Sequence, residues 1–175
     1  MVLLVPGLWN SGPDNPQSAW ERERTDCVRV VQREWERPRR AEWVETLEAA
    51  IRRAPEPVVL AAHSLGCALV AHWAGRPSAS LAQVRGALLV APSDVEQPAY
   101  PEGPTGFAPM PRERLPFRSI VVRSSNDVYV SVARAAEFAR AWGAEVVDAG
   151  PVGHINADSG LGSWEFGQRL LERLL

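Results

Sequence analysis

Six short apolar runs recur along the chain, most of them separated by stretches of helical periodicity, and this alternation restricts the fold more than any other feature. The runs are Val2–Val5, Cys27–Val31, Val58–Ala62, Ala87–Ala91, Ile120–Arg123 and Glu145–Val147. Several are continuous rather than alternating, which suits strands buried on both faces of a parallel sheet. Glu42–Arg53 places Trp43, Leu47, Ala50 and Ile51 at helical spacing, and Ser64–Ala74 does the same with Leu65, Ala68, Leu69 and Ala71. Val132–Trp142 and Trp164–Leu174 follow the same period. Strands alternating with helices imply right-handed crossovers and an α/β fold with helices on both faces of the sheet. No internal repeat or second apolar pattern divides the chain, so a single domain over residues 1–175 is expected.

Composition excludes several kinds of chemistry. Formal net charge is −2, and basic and acidic residues are interspersed, as in Trp20–Arg24 and Arg33–Arg40. Such runs read as solvated faces, and nothing in the balance asks for a nucleic-acid partner. Every basic residue is Arg. Schiff-base chemistry, a Ser–Lys dyad and a P-loop lysine are therefore ruled out. Cys27 and Cys67 form neither a disulfide framework nor a zinc motif and read as small buried hydrophobes. No metal or organic cofactor is implied. The chain opens directly on Val2–Val5 with no basic leader, and no apolar run is long enough to span a bilayer. A cytoplasmic protein with no membrane partner is expected.

The strongest local signal is Val58-Val59-Leu60-Ala61-Ala62-His63-Ser64-Leu65-Gly66-Cys67-Ala68-Leu69. An apolar strand runs into a sharp turn and then a helix, the context of a nucleophile elbow. A serine on such a turn needs small residues two positions to either side. Gly66 meets that need, and Ala62 stands where a first glycine is usual. An N-cap serine would explain Ser64 alone, but not the partners downstream.

A serine hydroxyl needs a base, and there are three histidines. His63 adjoins Ser64 on the turn, so its side chain should point elsewhere. His72 should lie about two turns along the following helix. His154, in the Gly-marked loop Pro151-Val152-Gly153-His154-Ile155-Asn156, remains as the base. Asp127 follows the strand Ile120–Arg123 and sits where parallel sheets build their sites, so it is favoured to orient that base. Asp94, Asp148 and Asp158 are weaker competitors, and Asp127 could alternatively be a turn former. The chain order Ser64, Asp127, His154 is that of α/β-hydrolases. An oxyanion would be held by the backbone N–H of Leu65 and by a second amide after the first strand, assigned to Leu8 with Trp9 as the alternative. Trp9 and Trp20 are candidate pocket residues, whereas Trp43, Trp73, Trp142 and Trp164 fit core positions. Pro92–Pro116 is rich in Pro and Gly and lacks periodicity; it reads equally as an exposed excursion or as a flap beside the site.

Taken together, Pro6-Gly7-Leu8-Trp9, Ala62-His63-Ser64-Leu65-Gly66, Ser125-Asn126-Asp127 and Gly153-His154-Ile155-Asn156 with Asp158-Ser159-Gly160 make the chain resemble the retinoblastoma-binding-protein-9 and YdeN group of small serine hydrolases. The resemblance spans nearly the whole sequence. It implies a three-layer α/β-hydrolase-like sheet of about six parallel strands in the order 2-1-3-4-5-6, without the usual initial antiparallel strands and without a large cap domain. It also implies Ser64, Asp127 and His154 as a triad acting on a small-molecule ester or amide. Pro6 stands where relatives often carry His, but backbone amides do not depend on that side chain. The alternative from another class is a binding protein that keeps this fold with little turnover.

Overall fold

A computed structural model describes residues 1–175. Six strands form one sheet: β1 (Val2–Val5), β2 (Cys27–Arg29), β3 (Val58–His63), β4 (Val84–Val90), β5 (Arg118–Arg123) and β6 (Glu145–Asp148). Their order is β2-β1-β3-β4-β5-β6, and every pairing is parallel. Sheet order and strand direction match the sequence expectation. The helices are α1 (Pro16–Glu23), α2 (Arg40–Arg53), α3 (Leu65–Ala74), α4 (Val132–Trp142) and α5 (Glu165–Glu172).

The alternation of side chains along each strand sorts the core into two layers. Leu3, Val5, Leu60 and Ala62 face a cluster of 29 buried residues that includes the inner stripes of α2, α3 and α4. Val2, Leu4, Val59 and Ala61 face a smaller cluster of 16, closed by Trp20 of α1 and by Leu170 and Leu171 of α5. β1 and β3 are buried along their whole length, which explains why they read as unbroken apolar runs. Two strands depart from their expected bounds. β2 stops at Arg29, short of the expected Val31, which is 68% exposed. β4 begins at Val84, earlier than the apolar run suggests, because Gly86 interrupts the hydrophobic signal without interrupting the pairing. Both cysteines are buried and unpaired, as expected. No helix is long and apolar enough to cross a membrane.

α1 corrects the reading of Trp20–Arg24 as a solvated charge run. Asn15 caps the helix by accepting from the Gln17 N–H, and Pro16 occupies the first turn. Glu21, Arg22 and Glu23 do face solvent, but Trp20 is only 1% exposed and stacks on Trp164 at 6.1 Å. Pro92–Pro116 contains no regular element, yet Phe107, Met110 and Leu115 are buried in the larger cluster. The segment is therefore tied down rather than a free excursion.

Two glycines set how closely β1 and β3 deliver their loops to each other. A Cβ on Gly66 would lie 2.8 Å from the Pro6 carbonyl oxygen and would overlap the Val5 carbonyl oxygen. A Cβ on Gly7 would lie 2.8 Å from the Ser64 Cβ. Backbone cannot withdraw from such an overlap as a flexible side chain can. Gly66→Ala is expected to lower stability by about 2–3 kcal/mol, the upper range for overpacking, measured as a lower urea midpoint with unchanged slope.

Candidate active site

The carboxyl ends of the parallel strands deliver the site residues to one edge of the sheet. Ser64 follows β3 directly. Its backbone is held at φ 56 and ψ −123, where a non-glycine residue is strained, and its N–H is anchored on the Val90 carbonyl at 3.0 Å. Asp127 lies after β5 and His154 after β6. The structure brings these three together. The Ser64 Oγ is 2.8 Å from His154 Nε2. His154 Nδ1 is 2.8 Å and 2.9 Å from the two Asp127 carboxylate oxygens. Asp127 Oδ1 also accepts from the Tyr129 N–H at 2.8 Å, and its side chain is fully shielded from solvent.

The competing acids lie elsewhere. Asp94 is paired with Arg134 at 2.7 Å, and Asp148 with Arg123 at 3.1 Å. Asp158 is exposed beyond the loop. The competing histidines do other work. His72 Nε2 is 2.7 Å from the Phe107 carbonyl, where it holds the irregular segment. The His63 Nε2–H donates to the His154 carbonyl at 2.8 Å, linking the end of β3 to the loop that carries the imidazole.

That loop is stitched to its neighbour as well. The Asn126 Oδ1 accepts from the Ser124 hydroxyl at 2.9 Å and from the Gly153 N–H at 2.7 Å. The Ser124 hydroxyl oxygen in turn accepts from the Val152 N–H at 3.1 Å. The two loops are thus tied together just ahead of Asp127 and His154.

A family model described as serine hydrolase matches residues 2–173. The chain belongs to this serine hydrolase family. A protein named as a YdeN-like hydrolase from Pectobacterium atrosepticum is 32% identical, with a TM-score of 0.86 over 99% of this chain and 89% of that one. The ydeN gene product of B. subtilis is 20% identical, with a TM-score of 0.76 over 99% and 97%. Thermogutta terrifontis esterase 2, solved phosphonylated by cyclosarin, shares the fold at 18% identity, with a TM-score of 0.71 over 98% and 80%. Among proteins of curated function, no sequence match reaches significance.

In this serine hydrolase a cleft of about 170 Å³ opens over Ser64, walled by Leu8, Trp9, Tyr100, Tyr129 and His154 among others. Trp9 stands at its rim, 56% exposed, with φ 63. Trp20 does not reach this cleft, because its ring is in the core and its indole N–H donates to the Ser163 carbonyl. The Leu8 N–H makes no hydrogen bond, whereas the Trp9 N–H is engaged by the Trp35 carbonyl at 2.9 Å. Leu65 opens α3, where first-turn amides have no partner within the helix. Tyr100 and Pro101 bring the irregular segment into the cleft wall, which favours the flap reading over the excursion. Burial pushes the Tyr100 phenol up to about 12.

Sequence reasoning missed Ser93. Its hydroxyl is buried and lies 2.6 Å from the Ser64 Oγ. Proton counting assigns the donor. The Asp127 carboxylate can only accept, so a neutral His154 carries its proton on Nδ1 and leaves Nε2 as acceptor. Ser64 gives its one proton to Nε2, and Ser93 therefore donates to Ser64. Its position after Pro92, just beyond β4, was the available signal, but a lone serine in a loop carries no spacing pattern.

Burial, and then the neighbouring His154, push the His63 imidazole down from its ordinary 6.5 to about 3. The unfolded chain takes up that proton below pH 6.5 while the folded chain does not. The stability His63 contributes is full above that pH and is lost as pH falls toward 3, at about 1.4 kcal/mol per pH unit. Between pH 7 and pH 5 the wild type should lose about 2 kcal/mol more than His63→Gln, read by urea unfolding at both pH values. Equal losses would mean that the imidazole is not held neutral.

Proposed function

We propose that this serine hydrolase cleaves a small carboxylic ester, or a related amide, through an acyl-enzyme on Ser64. The 2.8 Å approach of the Ser64 Oγ to an imidazole whose far nitrogen faces a buried carboxylate carries the reading. His154 takes the Ser64 proton as the oxygen attacks the carbonyl carbon. Asp127 holds the tautomer and stabilises the imidazolium that forms. The Leu65 and Leu8 amides receive the oxyanion; the unengaged Leu8 N–H supports that choice over Trp9. His154 then protonates the leaving group, and water attacks the acyl-enzyme by the same route in reverse. That Thermogutta terrifontis esterase 2 shares the fold is consistent with an ester substrate. The reading places no membrane or nucleic-acid partner in the reaction.

A fluorophosphonate probe should label the wild type at Ser64 and leave Ser64→Ala unlabelled, read by intact mass. No labelling of the wild type would instead favour a binding protein on a hydrolase fold. Ester turnover should fall by at least about 10⁴-fold in Ser64→Ala and by a similar factor in Asp127→Asn, where the tautomer is lost while the shape is kept. Ser93→Ala should lower turnover by about tenfold, the worth of one hydrogen bond, and Ser93→Thr should restore most of it.

A further inference from the structure

Three asparagines line the cleft, Asn10, Asn15 and Asn156, and all three have their oxygens occupied from behind. The Asn10 Oδ1 accepts from the Arg29 guanidinium at 2.8 Å. The Asn15 Oδ1 accepts from the Gln17 N–H at 3.0 Å. The Asn156 Oδ1 accepts from the Asp158 N–H at 3.1 Å. Each of those partners can only donate, so the oxygen must face it and the orientation of each amide is fixed. The NH₂ groups are what remain, and none of the three makes a hydrogen bond to the protein. The buried side-chain atoms without a partner are Gln32 Oε1 and Gln83 Oε1, so the NH₂ groups of the three asparagines keep solvent contact in the open cleft. A substrate that fills the cleft displaces that solvent, and donors then left without an acceptor are costly, so the site gains when the ligand supplies acceptors.

No Arg, Asp or Glu side chain lines the cleft. Arg29, behind Asn10, is already paired with Glu21 at 2.6 Å. A carboxylate ligand would therefore lose its hydration without meeting an opposite charge. Neutral oxygens match donors of this kind, and a plain alkyl chain leaves them unsatisfied.

We infer that the cleft selects short, uncharged esters carrying additional acceptor oxygens, such as hydroxyl, ether or carbonyl groups beyond the scissile carboxyl, over alkyl esters of equal length. This rests on the proposed hydrolase chemistry and adds the substrate class to it. The discrimination follows the pattern in which a site built to hydrogen-bond a substrate rejects the analogue that lacks the group.

The test compares isosteric pairs. On the acyl side, 4-nitrophenyl 3-methoxypropanoate is set against 4-nitrophenyl valerate. On the alcohol side, 2-methoxyethyl acetate is set against butyl acetate. Each rate is divided by the hydroxide rate of the same ester. At least one pair should show an ether preference of about tenfold or more in kcat/KM, and the responding pair says which side of the ester the donors hold. Asn10→Asp, Asn15→Asp and Asn156→Asp keep the pinned oxygen, replace the donor with an acceptor and add a negative charge. In at least one of them the ratio should collapse to about one or invert. A charge effect on His154 would move both members of a pair together and leave the ratio unchanged.

A wild-type ratio within about twofold of one for both pairs overturns the inference, as does a ratio unchanged in all three variants. If no ester is cleaved and Ser64 takes no probe, it is the hydrolase reading that fails. Calorimetric binding of the same intact esters to Ser64→Ala then decides the donor preference by itself, with equal affinities counting against it.

Discussion

Ser64 sits in a backbone conformation that the chain holds only because the surrounding backbone can come very close. Its φ of 56 turns the hydroxyl out of the sheet edge toward the imidazole. Gly66 lets α3 start against the carbonyls that end β1, and Gly7 lets the first loop pass directly over the serine. The same close approach brings the loop that carries Leu8 against the turn that carries Leu65, whose N would lie 3.1 Å from a Cβ on Gly7. Ser64 and the two amides proposed as donors thus share one packing constraint, and loosening it would displace them together.

Asp127 and His154 are fixed by a different device. They stand on separate loops, after β5 and β6, and loops are the most mobile parts of a fold. Here Ser124 and Asn126 of one loop accept the Val152 and Gly153 amides of the other. His63 adds a third tie, from β3 to the His154 carbonyl. A histidine next to Ser64 thus serves as a strut. Burial keeps it neutral, so it does not compete with His154 for protons.

The central strands were legible because burial on both faces forces continuous apolar runs, as in Val58–Ala62. The elbow was legible because its steric need falls on small residues at fixed spacing. The pairing of His154 with Asp127 followed from chain order and strand ends, and the two side chains lie within hydrogen-bond distance. Other features were hidden for physical reasons. The helix α1 carries one large apolar residue, Trp20, among charges, so its period is faint; only Asn15-Pro16 marks its start. Trp20 was placed at the pocket because a tryptophan near a site loop has no direction in a sequence. Ser93 and the meeting of the three asparagines in one cleft depend on how distant loops converge, which no local pattern encodes.

The placement of the tryptophans gives the protein a built-in optical reporter. Trp20, Trp43, Trp73, Trp142 and Trp164 are all buried, while Trp9 is more than half exposed on the rim of the cleft. Long-wavelength excitation favours the water-relaxed indole over the others. Trp35 is half-buried and packs edge-on against Trp43, so the indole most exposed to water is the one beside Ser64, and its emission offers a way to follow occupancy of the cleft by light without attaching a dye.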